Sequence, residues 1–178
     1  MSKNEKSMPM YRLAVCAFLV ALSIVCGKFL AIPVGEILRF SFENLPILFA
    51  GLAFGPVAGL LVGVSADLLG CVLRGYAVNP WVTAGAVAIG LVAGVGGVLL
   101  RRYPQGVQVA LTVLVAHLVG SVAVKTIGLS AYYAFPLWEL MLWRLLNYVI
   151  VGGVEAVLLY VLLRHPGVRR FLPQKGGF

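Results

Sequence analysis

Six apolar segments, separated by short turns with proline or charged residues, take up most of the chain. They run from about Tyr11 to Ala31, Phe40 to Phe54, Val57 to Leu73, Trp81 to Leu100, Val107 to Leu129 and Leu137 to Leu163. All but the second are long enough to cross a hydrocarbon core of about 30 Å as helices. A composition of 61% hydrophobic and 11% charged residues leaves little material for a soluble domain.

The sequence therefore predicts an all-α membrane protein with six transmembrane helices in one bundle. Residues 11–163 form the predicted membrane domain. Residues 1–10 are expected to be a flexible N-terminus, and residues 164–178 a basic tail.

Basic residues indicate the orientation of this bundle, because cytoplasmic loops carry an excess of lysine and arginine. One group falls at a single end of the predicted helices and predicts that both termini are cytoplasmic: Lys3, Lys6, Arg12, Arg101, Arg102, Arg164, Arg169, Arg170 and Lys175. The remainder fall in the outer loops or outer halves of helices: Lys28, Arg39, Arg74, Lys125 and Arg144. Topology does not require cations there, and the simplest role for them is the binding of an anionic solute.

Glycines recur at every fourth residue from Gly51 to Gly63, and Asp67 follows on the same face. Small residues at this spacing let a neighbouring helix approach closely in lipid. A carboxylate in the membrane costs about 2.5 to 3.5 kcal/mol on insertion scales, so Asp67 is expected to face protein or a cavity and to have a function. At 1.5 Å per residue Asp67 lies about 16 Å from Pro56, close to mid-membrane.

The same helical rise places Lys125 about 28 Å from the start of its segment, near the outer surface. It places Glu155 near the inner interface, where the carboxylate can be solvated. Arg144, Asn147 and Tyr148 share one helix face at about the depth of Asp67. An alternative role for Arg144 is a plain ion pair with Asp67 that neutralises two buried charges.

Two other classes of function are open to such a chain. Ser65 and His117 suggest an intramembrane serine protease, but that chemistry needs a hydrogen-bonded pair and an oxyanion hole, and the rhomboid pattern has Gly where Ala66 stands. A packed polar histidine is the simpler interpretation of His117. A packing subunit without a ligand is the other class. The sequence has no phosphate-binding loop for ATP hydrolysis, and we expect no enzymatic activity.

Several sequence blocks resemble one family of membrane proteins. The spacing Ala17-x-x-x-Ala21, with Ala14 before it, resembles the small-residue motif by which substrate-binding S components of energy-coupling factor (ECF) transporters dock on their partner. The remaining blocks are similar to the folate-type S components: Leu38–Phe40, Glu43–Pro46, Phe54–Pro56, Gly63–Asp67, Gly75–Pro80 and Trp143–Tyr148.

The resemblance implies a six-helix S component of a bacterial plasma membrane that captures extracellular folate. It implies a transmembrane T component and two ABC-type ATPases as partners, with Ala14, Ala17 and Ala21 as the docking surface. Pantothenate, a smaller anionic vitamin, is the alternative ligand within the class.

Folate suggests roles for a set of polar and aromatic residues: Arg39, Phe42, Asp67, Tyr76, Asn79, Lys125, Arg144 and Asn147. A carboxylate or an amide, such as Asp67 or Asn147, can read the edge of the pterin, and aromatic side chains can stack on its rings. The basic members of the set are expected to meet the two carboxylates of the glutamate tail by charge-assisted hydrogen bonds.

Overall fold

The computed structural model describes residues 10–34, 38–75, 77–133 and 136–169. The predicted flexible N-terminus, except for its last residue, lies outside these ranges, as does the end of the predicted basic tail. The described elements are almost entirely helical: α1 (Met10–Lys28), α2 (Asn44–Phe54), α3 (Pro56–Arg74), α4 (Pro80–Leu99), α5 (Gln105–Ala116), α6 (Lys125–Tyr133), α7 (Leu137–Arg164) and α8 (Pro166–Arg169). A π-helical stretch at His117–Val124, here called the π segment, joins α5 to α6.

Five helical stretches in the described part are long and apolar enough to cross a membrane. The stretch through α5, the π segment and α6 counts as one of them. The second predicted segment is the exception, because α2 has only 11 residues, or about 16 Å of helix. The described residues thus contain five long apolar helices and one short one.

A short hairpin departs from the prediction of an all-α chain. Strands β1 (Ile32–Val34) and β2 (Leu38–Phe40) pair in antiparallel fashion, with Ile32 opposite Phe40. Strands of three residues are too short to leave a reliable period-two pattern in a sequence. The tail also contains the one-turn helix α8, which begins at a proline, a residue suited to the first helical position.

The core of the bundle is the packing of α3 on α4, with α2 against both. The glycine spacing predicted this close approach, and the structure confirms it. A Cβ at Gly63 would lie 2.7 Å from the carbonyl oxygen of Ala86, and one at Gly51 would lie 2.7 Å from that of Gly90. Any side chain there would push the helices apart.

The glycine stripe nevertheless belongs to two helices. The chain turns between α2 and α3 at Gly55, whose φ of 97° lies in the region that favours glycine. Pro56 then starts α3 without losing a backbone hydrogen bond. Asp67 follows in the fourth turn of α3, on the side where α4 packs.

Candidate functional site

A small polar cavity lies where α1, α2, α3, α4 and α6 meet. Its polar lining residues are Ser23, Glu43, Asn44, Asp67 and Lys125, and its apolar lining includes Ile47 and Ala86. The cavity measures about 20 Å³, whereas ligand pockets measure roughly 300 Å³ or more. A vitamin-sized molecule therefore requires the surrounding elements to separate.

Lys125 and Glu43 form an ion pair across the cavity. Lys125 is 5% exposed, and its Nζ lies 3.7 Å from Oε1 of Glu43. This distance is longer than a hydrogen bond, so the attraction is electrostatic and the ammonium donors remain available to another acceptor. The pair links the start of α2 to the start of α6.

Two glycines make room for this pair. A Cβ at Gly27 of α1 would lie 2.7 Å from Oε2 of Glu43, and a Cβ at Gly85 of α4 would overlap the alkyl stem of Lys125. In addition, Ser23 of α1 donates a hydrogen bond of 2.6 Å to the backbone carbonyl of Glu43. The backbones of two helices, α1 and α4, are thus shaped around two charged side chains.

Asp67 lines the same cavity and faces protein, as its position after the glycines predicted. Thr83 of α4 donates a hydrogen bond of 2.5 Å to Oδ2 of Asp67. The alternative ion pair between Asp67 and Arg144 is not formed, because Arg144 donates instead to the backbone carbonyl of Ser121 at 3.1 Å.

Asn44 is the least satisfied polar group of the cavity. It is 1% exposed, yet neither Oδ1 nor Nδ2 has a hydrogen-bond partner in the described part of the chain. An unsatisfied polar group in a protein interior costs about 1 to 3 kcal/mol. Because both amide atoms lack partners, the observation does not depend on which of them is assigned as oxygen.

The structure brings together only part of the predicted set. Asp67 and Lys125 line the cavity, whereas Arg144 and Asn147 are not among its described lining residues. Asn79 caps α4 by accepting from the backbone N–H of Trp81 at 3.0 Å, and Phe42 is half-buried. Tyr76 lies outside the described residues, and the description of Arg39 is confined to its backbone in β2.

Lys125 does not lie above Asp67 at the outer surface, as the uniform rise of 1.5 Å had placed it. Both residues line one cavity. The residues before Lys125 form the π segment, whose i to i+5 hydrogen bonds put more residues in each turn than an α-helix has. The π segment has only eight residues and explains a small part of the difference, and the ammonium group of a lysine also lies on a flexible four-carbon stem, so its position does not follow from the height of its backbone.

The prediction of a solvated Glu155 is wrong. Glu155 is fully buried, and its Oε2 lies 2.6 Å from Nε2 of His117. The other ring nitrogen of His117 lies 3.2 Å from Oγ of Ser121, and the ring stacks on Tyr148 with centroids 4.7 Å apart. His117 is a packed polar histidine as expected, and its serine neighbour is Ser121 and not Ser65.

The cavity contains residues that the prediction of the site omitted: Ser23, Glu43 and Asn44, with Thr83 behind Asp67. Glu43 and Asn44 stand in one of the blocks that carry the resemblance, which was the available signal for them. Thr83 carried no signal, because a threonine in an apolar segment is common.

The family described as ECF transporter, substrate-specific component, matches residues 11–164 of the chain. The chain belongs to this family. It is therefore an S component, a multi-pass membrane protein, and the resemblance seen in the sequence is confirmed. Ala14, Ala17 and Ala21 are exposed on α1.

Individual relatives agree with this assignment. The S component is 28% identical over 151 residues to the folate transporter FolT of Clostridium novyi (strain NT), which covers 81% of this chain and 83% of that protein. Its fold is similar to the crystal structure of FolT bound with folic acid, with a TM-score of 0.71, 24% identity, and coverage of 86% of this chain and 93% of that one. The S component for biotin from an ECF-type ABC transporter gives a TM-score of 0.61 at 21% identity, with 97% and 100% covered.

Proposed function

We propose that this S component captures folate outside the cell for ATP-driven uptake by its partner subunits. The similarity to FolT in sequence and in fold supports folate as the ligand. The observation that carries the proposal is the polar cavity, in which a carboxylate, an amide and an ammonium group converge at Asp67, Asn44 and Lys125. This combination offers both donors and acceptors to a heterocycle with N–H and carbonyl groups.

The short helix α2 completes the proposed set of six membrane segments, with both termini in the cytoplasm. The membrane domain spans residues 11–163, between the N-terminal residues 1–10 and the basic tail of residues 164–178. The protein binds and releases its ligand unchanged and is not an enzyme. In this orientation the cavity, near the outer hairpin, is reached from outside.

The cavity changes the expected pose of folate. Asp67 and Lys125 were assigned to opposite ends of the ligand, but two residues that line one small cavity contact the same part of it. The remaining proposed contacts, Arg39, Phe42, Tyr76, Asn79, Arg144 and Asn147, would then surround the rest of the molecule. Arg39 and Arg144 stay the proposed partners of the glutamate carboxylates.

The partners of the S component are a transmembrane T component and two ATPases. We place the T component against the exposed small side chains of Ala14, Ala17 and Ala21, which allow close helix approach. Replacing Ala17 and Ala21 together by leucine is expected to abolish folate uptake by cells and to leave folate binding by the purified protein unchanged. Loss of binding, or retention of uptake, would show that the docking surface lies elsewhere.

Titration of the purified protein with folate tests the function itself. Intrinsic tryptophan fluorescence is expected to be quenched saturably by folate at submicromolar concentration and to be unaffected by pantothenate. A calorimetric signal with pantothenate and none with folate would replace folate by the smaller vitamin. No signal with either would leave the packing subunit as the function.

A further inference from the structure

We infer that Asn44 reads a lactam edge of the ligand, and that the flat heterocyclic end of the ligand therefore enters the cavity. This inference rests on the proposed function and goes beyond it, because it names the residue that selects the ligand and the chemical group that is selected. The first observation behind it is the pair of orphaned amide atoms of a side chain that is 1% exposed.

The chemistry of an amide side chain defines what it can recognise. Asn44 presents a carbonyl acceptor and an N–H donor side by side. A cyclic lactam presents the complementary donor and acceptor on one edge, because the ring holds its N–H and C=O in the cis arrangement. The amide of pantothenate is an open-chain secondary amide in the trans arrangement, so its N–H and C=O point in opposite directions. It cannot make both hydrogen bonds with one asparagine.

The surroundings of Asn44 favour a bound ligand as the hydrogen-bond partner of its amide. Asn44 is the first residue of α2 and follows the N-cap position, which Glu43 occupies, so its amide does not stand where a side chain caps the helix. Neither of its charged neighbours in the cavity, Glu43 and Lys125, forms a hydrogen bond with its amide. A rigid edge that bonds both amide atoms satisfies two buried groups at once, which is a strong source of specificity.

Charge also favours the heterocyclic end over the acidic tail. Among the described lining residues of the cavity there are two acidic side chains, Glu43 and Asp67, and one basic side chain, Lys125. A ligand carboxylate in this cavity would have to compete with Glu43 for Lys125. It would also be repelled by the like charges of Glu43 and Asp67. A neutral ring with N–H donors meets no such repulsion.

The test is a comparison of Asn44→Leu with wild type against three probes: folate, pteroate, which lacks the glutamate, and p-aminobenzoylglutamate, which lacks the pterin. We expect wild type to bind pteroate more weakly than folate, because the contacts to the glutamate carboxylates are lost, and to bind p-aminobenzoylglutamate more weakly still. Asn44→Leu is expected to lower the affinities for folate and for pteroate by the same factor, about 10- to 100-fold. Equal affinity of the variant and wild type for folate would overturn the inference.

Thr112→Val is the matched control, because Thr112 is also buried and its Oγ1 also lacks a partner among the described residues, but it does not line the cavity. Its affinity for folate is expected to equal that of wild type. The melting temperature of ligand-free Asn44→Leu should not fall, since the amide has no bond to lose. A folded Asn44→Leu that melts well below wild type without ligand would contradict the inference, because the Asn44 amide would then stabilise the empty protein.

The probes also separate this inference from the proposed function. If the wild-type protein binds biotin and does not bind folate, folate is refuted as the ligand. The inference about Asn44 would stand, because the cyclic ureido group of biotin presents the same cis N–H and C=O edge. Asn44→Leu would then be expected to lower the affinity for biotin by a similar factor. Wild type that binds folate with no contribution from Asn44 would refute only the inference.

Discussion

Two buried polar clusters lie at the two ends of the π segment, and they differ in how fully their hydrogen bonds are made. At the end that the proposed orientation places inside, both ring nitrogens of His117 have partners within 3.2 Å, in Glu155 and Ser121. At the end that the proposed orientation places outside, Lys125 lies 3.7 Å from Glu43, and the amide of Asn44 has no partner among the described residues.

The difference indicates different roles. Polar groups that bond one another hold helices in register, as His117 of the π segment holds Glu155 of α7. Polar groups that are buried without partners lower the stability of the empty protein and gain their bonds when a ligand arrives. One oxygen of Glu155 also lacks a partner in the described part, but Glu155 is not among the described lining residues of the polar cavity. We therefore assign structure to the inner cluster and ligand binding to the outer one.

The largest effect is expected at the inner cluster. Glu155→Ala leaves His117 without its partner in the bundle interior and should lower the free energy of unfolding by about 3 to 5 kcal/mol, measured by denaturation in detergent. Glu139→Ala removes an exposed carboxylate from the same helix and should cost less than about 1 kcal/mol. Equal losses in the two variants would refute the structural role.

A double replacement sharpens this result. His117→Leu combined with Glu155→Leu removes both members of the pair, and apolar replacement of a buried pair is often neutral or stabilising. The double variant should recover most of the stability that Glu155→Ala loses, and its affinity for folate should remain at the wild-type level. A large loss of affinity would mean that the inner cluster takes part in binding.

The next effect is expected at the outer cluster. Lys125→Met removes the buried ammonium and should weaken folate binding by about 1.5 to 3 kcal/mol, roughly tenfold to a hundredfold, in a fluorescence titration. Arg102→Met makes the same change of charge at an exposed position and should leave affinity unchanged. If both variants bind like wild type, Lys125 is not a ligand contact.

A smaller effect is expected from filling the space beside Lys125. Gly85→Ala brings a methyl group against the lysine stem and to 2.7 Å from the carbonyl oxygen of Gly120, and such overpacking costs about 1 to 3 kcal/mol of stability. Gly153→Ala on α7 meets no atom within 4 Å and should leave stability unchanged or raise it by up to about 1 kcal/mol. Thermal unfolding of the two variants provides the measurement, and equal melting temperatures would contradict the packing described for Gly85.

The long helices could be predicted closely from the sequence. The last one was predicted as Leu137 to Leu163 and runs from Leu137 to Arg164, because apolar length sets a membrane helix and Pro136 marks its start. The approach of α3 to α4 followed from glycine spacing for the same reason, since only backbone can fill the space that a glycine leaves.

The partners of individual side chains could not be predicted in this way. Spacing within a helix gives the face of Asp67 but not the neighbour opposite it, which proved to be Thr83 and not Arg144. Depth counted along the backbone misplaced Lys125, because it includes neither the reach of the lysine side chain nor the π segment, which has no sequence signature comparable to a proline. Glu155 was assigned to the interface because its partner, 38 residues away in the chain, lies on another helix.

The most direct test of the account is an experimental structure of the protein with folate bound. The account predicts that the pterin occupies the cavity, with its lactam edge within about 3.2 Å of the Asn44 amide and the cavity widened around Lys125. A pterin bound elsewhere in the bundle, with the amide of Asn44 still lacking a partner, would contradict the assignment of this cavity as the binding site.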